Sequence, residues 1–574
     1  MIKKFLYFFN KEQKKKLIVL FFFMFVATIL EMLGLGFIFS IVGSIGSTNI
    51  NNIFVDKLSF FFEIDKVEIL SYLLLGFIIF YIIKIIFLIF YNWFESNFLY
   101  SYKEHLSSKV FRQYLNQNLS YFYNRNSSEF IRNLITELDQ FTGYLVSILK
   151  LSLEIIVAIG IFILLAYVNL YFTIVITIVF SLFASLYFFL LKENLNTWGI
   201  QRQKNIQKRI QFMQEGFDGI KIIKLLGREN FFFNKFRLHN LNLSKIAIKV
   251  QFFSGLPKLL FELVGVFLIS SSIFILHYSG KNFIEIIQII SIYVAASFRI
   301  LPSVNKIVFS LQYMKLSFPS LNVLFNELKS FKKEEHHFLK KFDFKKNIIM
   351  DIKKFKYPNS NNFEISNLKL NILKGQKIGI IGPSASGKST TIELLTGISE
   401  PQSGSIAVDG KSIFSNIKGW QNLIGFVPQK IFILDESLRN NILFGLNNTK
   451  YTDSKIILMI KKLSLGKLLN RLPGGLDGNL GEEGINLSGG EIQRIGLCRA
   501  LIYDPEILFL DEATSSLDVD TESQILDELK IFKEKTIISI AHRINTLKNC
   551  EKIYCFNNGK IVDQGNFEKF NIKN

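Results

Sequence analysis

The sequence predicts a multidomain membrane protein: a six-helix membrane domain with long intracellular helical extensions, followed by an α/β domain of the P-loop type. Three observations predict it. Six apolar runs of span length occur before residue 302. Two long basic stretches of helical periodicity separate some of them. A glycine-rich loop, GPSASGKS, sits between an apolar strand-like run and a helical run at 377–396.

Composition sets the class. The chain has 574 residues, 60 of them Phe, and a mean hydropathy of +0.30, too apolar for a soluble enzyme of this size. Nine Pro and 35 Gly exclude collagen-like and low-complexity material. Three cysteines, Cys498, Cys550 and Cys555, exclude a disulfide framework and a Cys-rich zinc site. The net charge of +20 fits either nucleic-acid binding or basic cytoplasmic loops. The apolar runs decide for the second, and no nucleic-acid partner is expected.

A bilayer-crossing helix needs about 20 residues. Runs near 17–42, 69–93, 145–168, 171–191, 259–277 and 283–301 meet that length. The first follows a lysine cluster but is too long for a signal peptide, and no small-residue cleavage site follows it. Lysines and arginines concentrate in 95–140 (Lys103, Lys109, Arg112, Arg125, Arg132) and in 192–250, whereas the 168–171 turn has none. The positive-inside rule therefore puts both long stretches, the N-terminus and the C-terminal part in the cytosol. Structureless loops of that length are unusual, so spans two to five are expected to continue as helices. Their turns, Tyr121–Glu129 and Gln214–Gly219, are candidates for touching a cytosolic domain. Phe-rich Ile53–Ile64 reads either as an interfacial helix touching lipid or as a packed loop. The expected division is 1–325 membrane domain, 326–348 linker and 349–574 nucleotide-binding domain. The linker holds His336 and His337, adjacent and so on different helix faces, with no metal role expected.

The C-terminal part carries the chemistry. Gly382, Pro383, Ser384, Ala385, Ser386, Gly387, Lys388, Ser389 and Thr390 follow the strand-like Lys377–Ile381 and open a helix. In that context glycines let backbone N–H groups wrap phosphates, and the helix N-terminus adds its dipole. Lys388 is expected to neutralise the β- and γ-phosphates of ATP, and Ser389 to ligate Mg²⁺. Ile507–Leu510 reads as a buried parallel strand ending in Asp511 and Glu512, where ligands bind. Asp511 is expected on Mg²⁺, and Glu512 to orient or deprotonate the attacking water.

At this point the residues resemble the ATP-binding cassette family. Leu487-Ser488-Gly489-Gly490-Glu491 is similar to its signature motif, and Gln429 in Phe426-Val-Pro-Gln429 to its Q-loop glutamine, which also serves the metal. Tyr357 sits where the family stacks an aromatic ring on adenine. Ser516-Leu-Asp518 resembles the D-loop, Ala541-His542-Arg543 the switch histidine, and Gly481-Glu482 the X-loop of exporters. With six spans the resemblance extends to exporter-type half-transporters of type IV fold and covers essentially the whole chain. It implies an active ATPase working by alternating access, in which each nucleotide lies between one chain's P-loop and another's signature. A homodimer is therefore the expected partner arrangement. One departure stands out. The signature ends in Glu491 where the family usually has Gln, and Glu491 is expected to point away from the phosphates.

Charges inside the spans bear on cargo, because they are costly there. Lys84, Lys258 and Arg299 lie 16, 19 and 17 residues from the outer span ends at Glu68, His277 and Asn282. At about 1.5 Å per residue that is one shared depth of roughly 24–29 Å, a candidate cationic belt for a phosphate-bearing substrate. Alternatives remain open: a local Lys258–Glu262 pair, snorkelling, or cross-helix pairing of Arg299 or Lys84 with Glu31. Lys150 and Glu154 read as a local pair. Phe298–Ile307, the Glu31 region and Leu256-Pro257-Lys258 resemble the PglK-type flippase. That resemblance implies transfer of a polyprenyl-pyrophosphate-linked oligosaccharide from the cytoplasmic to the periplasmic leaflet of a bacterial inner membrane, for protein glycosylation or surface glycan assembly. A lipid A, phospholipid or drug exporter shares every cassette motif but favours an apolar or aromatic cavity. An ATP-gated channel or sensor would show degenerate catalytic residues, and none is found. A peptide exporter with an N-terminal peptidase is not expected, since about 16 residues precede the first span and hold no Cys/His pair.

Overall fold

The computed structural model describes residues 4, 7–46, 66–123, 125–168, 170–278, 283–331, 342–357, 363–446, 450–513, 519–532 and 534–571. Ile53–Ile64, His336, His337, Ser516 and Asp518 lie outside them. The chain forms two compact units. One comprises 1–117 and 125–332, the other 118–124 and 333–574.

The first unit is helical. Its long helices are α1 (Lys11–Gly46), α2 (Lys66–Leu115), α3 (Leu138–Val168), α4 (Leu170–Asp218), α5 (Glu229–Tyr278) and α6 (Phe283–Ser330). Among the described residues, five helices are long and apolar enough to cross a membrane, and α6 adds 48 helical residues. A span uses about 20 residues, so α2, α4 and α5, each 49 or 50 residues long, run well beyond it. A short α-helix, Ser127–Arg132, and a π-helical turn at Asn133–Glu137 lead directly into α3. Helix α6 packs against α3, α4 and α5, and α1 against α2 and α3. Gly199 lets α4 approach α6, since a Cβ there would strike the Leu316 carbonyl and crowd Pro319 at 3.1 Å.

The stretch 326–348 is not simply a linker. Helix α6 continues through Ser330, where Glu327, 5% exposed, pairs with Arg125 at 2.8 Å. Phe342 and Phe344 are buried in the core of the second unit. Charged residues in 326–331 obscure the helix in the sequence, and only burial of the two phenylalanines reveals where the second core begins.

That unit holds two sheets. Four antiparallel strands run β2-β1-β4-β5: Ile365–Leu373, Asn347–Phe355, Ser403–Val408 and Lys411–Ser412. Six run β10-β9-β3-β8-β7-β6: Lys560–Gly565, Lys552–Asn557, Lys377–Ile381, Thr536–Ile540, Ile507–Asp511 and Ile424–Val427. From β9 through β6 the pairing is parallel. Uninterrupted apolar strands such as β3 and β7 are what burial on both faces requires. Ile507 and Phe509 enter one core, Leu508 and Leu510 a second that also holds α8 (Gly489–Leu501). Strand β7 thus divides the P-loop side from the signature-bearing helical side.

Candidate functional site

Parallel pairing brings four sequence-distant segments to one edge. Ile540 pairs with Ile380 and Asp511, and Val427 with Leu510. The residues just beyond the C-terminal ends of β3, β8, β7 and β6 are therefore the P-loop, His542, Glu512 and Gln429. Open α/β sheets bind ligands at this edge.

The P-loop joins β3 to α7 (Lys388–Leu395). Gly382 (φ +154) and Gly387 (φ +104) occupy conformations that L side chains rarely adopt, and a Cβ on Gly382 would run into the Phe556 carbonyl. Ala385 holds φ 61 without that freedom, a local strain. Lys388 Nζ donates to the carbonyls of Gly382 and Pro383, both at 2.9 Å. Burial holds its ammonium below the usual range, against the pull of Glu512 and Asp511. The Ser386 hydroxyl, 3% exposed overall, is buried with no hydrogen-bond partner among the described residues. A donor left unsatisfied inside an anion-binding loop is costly, and a phosphate oxygen would satisfy it.

Ser389 Oγ donates to Asp511 Oδ1 at 3.2 Å, and burial pushes the Asp511 carboxyl above its usual range against that bond. A hydroxyl and a carboxylate beside a phosphate site form a hard-oxygen donor set suited to Mg²⁺. Glu512 is 9% exposed, with φ 50. Gln429 Nε2 donates to its Oε2 at 2.6 Å, and His542 Nε2 lies 2.6 Å from its Oε1. The carboxylate is fixed from two sides.

Tyr357 follows β1. Its hydroxyl donates to Glu393 Oε2 at 2.8 Å and meets Thr390 Oγ1 at 3.1 Å, which anchors the ring beside α7. Glu393 also accepts from the Tyr123 hydroxyl at 2.9 Å, and the Tyr123 and Tyr357 rings meet edge to face. Tyr123 belongs to the expected contact segment Tyr121–Glu129. The second such segment, Gln214–Gly219, instead places Gln214 Nε2 3.4 Å from Ser127 Oγ. Nothing in the sequence marked Glu393, because a lone glutamate on a helix gives no signal. Glu393→Ala removes an acceptor from the half-buried Tyr357 hydroxyl and leaves the exposed Tyr123 hydroxyl to water. It is expected to lower the stability of the nucleotide-binding unit by about 0.5–1.5 kcal/mol and to raise the KM for ATP, read by thermal unfolding and steady-state hydrolysis.

Ser488, Gly489 and Gly490 begin α8. Ser488 caps it, accepting from the Glu491 N–H at 3.3 Å, while Glu491 Oε2 accepts from the Ser488 N–H at 2.8 Å. Among the described residues no hydrogen bond joins this turn to the P-loop.

The three span cations do not form a simple belt. Arg299 is paired: its Nε donates to Glu31 Oε2 at 3.1 Å, its Nη2 also binds Glu31, and Glu154 Oε2 lies 3.8 Å away. Glu154, 2% exposed, takes Lys306 at 2.7 Å rather than pairing with Lys150. Helix α6 presents Arg299 and Lys306 two turns apart, a spacing that sequence reading of single positions overlooked. Lys84 is half-buried, 4.8 Å from the centre of the Tyr81 ring and close to Gly34. Lys258 is exposed on α5, and among the described residues no ion pair joins it to Glu262. Cross-helix pairing therefore claims Arg299, and Lys258 stands apart. The remaining cluster, Lys84, Arg299 and Lys306 against Glu31 and Glu154, keeps one net positive charge.

These features define a class: a P-loop nucleotide-binding domain on the same chain as a multi-pass helical membrane domain. A model described as the ABC transporter transmembrane region matches residues 17–300, and the ABC transporter model matches 365–515. The chain belongs to the ABC transporter family. P-glycoprotein 14 of Caenorhabditis elegans is 37% identical over 218 residues, 38% of this chain and 16% of that protein, so the matched stretch spans about a sixth of that relative. The heterocyst differentiation ATP-binding protein HepA of Nostoc sp. is 28% identical over 486 residues, 81% of this chain and 76% of its own. A solved structure of a bacterial Atm1-family ABC exporter with ATP bound superposes with a TM-score of 0.80 at 19% identity, over 98% of this chain and 97% of that one. The fold is that of an ABC exporter.

Proposed function

We propose that two copies of this chain form an ATP-driven flippase of a bacterial inner membrane. Its cargo is a polyprenyl-pyrophosphate-linked oligosaccharide, moved from the cytoplasmic to the periplasmic leaflet for protein glycosylation or surface glycan assembly. The observation that carries the cargo reading is the net-positive cluster of Lys84, Arg299 and Lys306 within the helical unit. The planar, paired donors of the Arg299 guanidinium suit a pyrophosphate, which would exchange with Glu31 there, with Lys84 and Lys306 as point charges beside it. Lys258 remains a candidate contact only from its exposed position.

In the ATPase, the P-loop backbone, Ser386 and Lys388 hold the phosphates, and Tyr357 supports the adenine. Ser389, Asp511 and the Gln429 amide oxygen would hold Mg²⁺, which would supply positive charge to offset that of the phosphates. Glu512 orients the attacking water and takes its proton, and His542 and Gln429 fix Glu512. The partner copy's signature turn and D-loop Asp518 complete each site. Separate placement of P-loop and signature in two cores supports this pairing.

A second reading has its own support. A cavity of about 490 Å³ between α3, α4 and α6 is lined by Phe162, Phe180, Phe188 and Phe189, an aromatic surface suited to lipid A, a phospholipid or an amphiphilic drug. Reconstitution in liposomes with a fluorescent lipid-linked oligosaccharide separates the two. ATP-dependent movement of the glycolipid between leaflets is the expected result. Movement of lipid A or a drug in its place assigns the cargo to the second reading.

A further inference from the structure

The signature turn contains a problem in electrostatics. On the proposed reading, the N-terminus of α8 faces the γ-phosphate of the opposing site. The Glu491 side chain turns back onto the Ser488 N–H, but its carboxylate still adds negative charge to the turn that would receive a polyphosphate, and like charges repel even near a protein surface. Locally the same carboxylate is favourable. It completes the capping box with Ser488 and sits at the positive end of the helix dipole. Local stability and nucleotide binding pull in opposite directions.

The structure shows what reconciles them. Arg471 closes the short helix Gly466–Arg471, twenty residues upstream. Its Nη2 lies 3.2 Å from both carboxylate oxygens of Glu491 and donates to the Asn486 carbonyl at 3.1 Å. One guanidinium therefore neutralises the carboxylate and ties the loop before the signature to the signature's first turn. The Glu491 side chain is 18% exposed and that of Arg471 57%, so the pair sits at the edge of the unit with its acidic half shielded.

We propose that Arg471 is a positioning residue for the signature motif. It cancels the charge of Glu491 and holds the turn so that Ser488, Gly489 and Gly490 can receive an anionic nucleotide. Arg471 acts through Glu491 and does not touch the nucleotide. This rests on the composite ATP site proposed above.

The test is steady-state hydrolysis by the full chain in liposomes. Arg471→Ala should raise the KM for ATP about two- to fivefold, the range an exposed ion pair commands, with kcat close to that of the wild type. The rise should shrink at about 0.5 M salt, where screening removes repulsion. Glu491→Gln placed on Arg471→Ala should restore the wild-type KM, because the charge needing compensation is gone. Arg471→Lys should give a partial effect. A wild-type KM for Arg471→Ala overturns the inference. So does a double variant that stays impaired, since a merely structural arginine would not be rescued at Glu491. Absence of hydrolysis by the wild type overturns the composite-site reading as well, which distinguishes the two failures.

Discussion

Glu512→Gln is expected to reduce ATP hydrolysis by roughly 10²–10⁴-fold, the contribution of a positioned general base, while ATP still binds. The substitution keeps the size and shape of the side chain. Its amide oxygen can still accept from Gln429, which now donates at 2.6 Å. The lost property is the capacity to take a proton from water. The backbone gives this prediction its sharpness. A non-glycine residue at φ 50, buried to 9% exposure and gripped by Gln429 and His542, is held in one orientation by its surroundings. Lys388, Ser389 and the P-loop backbone are untouched, so nucleotide affinity should survive. Initial rates of phosphate release, measured with equilibrium ATP binding, check both halves. A rate within tenfold of the wild type would remove Glu512 from the role of base.

Arg299→Ala should destabilise the helical unit. It removes a partner of Glu31 and leaves Glu154, 2% exposed, with Lys306 alone. Breaking a fully buried pair from one side costs about 3–5 kcal/mol, whereas replacing both sides with apolar or neutral groups can cost little; the Arg299–Glu31 pair, its side chains 22% and 18% exposed, should cost less than that upper range. Arg299→Met combined with Glu31→Gln is therefore expected to regain most of the loss, seen as recovery of the unfolding temperature in detergent. That pair of variants also separates fold from cargo. If Arg299 binds an anion by exchanging with Glu31, the stable double variant should hydrolyse ATP and fail to move the lipid-linked oligosaccharide. Unimpaired movement would show that the arginine serves packing only.

Much of this molecule could be read without coordinates, for a physical reason. Nucleotide chemistry needs residues at fixed short spacings, so Gly382–Thr390, Ser488–Gly490 and Asp511–Glu512 appear as continuous strings. Membrane crossing needs long apolar runs, and α1 to α6 contain them. What escaped were pairings across helices. Glu154 looked committed to Lys150 four residues earlier, but α6 brings Lys306 to it from 152 positions away. Glu31 was one candidate for Arg299 among several readings, because sequence gives depth along a helix but not which face meets which neighbour. Tyr123 and Glu393 were obscured similarly, 270 residues apart and joined by one hydroxyl. The extension of α6 through Ser330 was hidden by its own polarity, since a helix leaving the membrane no longer needs to be greasy.

Because residues 118–124 group with the nucleotide-binding unit, a soluble fragment beginning near residue 342 would be missing a piece of itself. Glu393 would lose the Tyr123 hydroxyl that donates to it, and the Tyr357 ring would lose its edge-to-face neighbour. Affinities measured on such a fragment would describe a looser nucleotide seat than the intact chain possesses. Supplying a short peptide that carries Ser120–Tyr123 in trans would be the direct way to restore it.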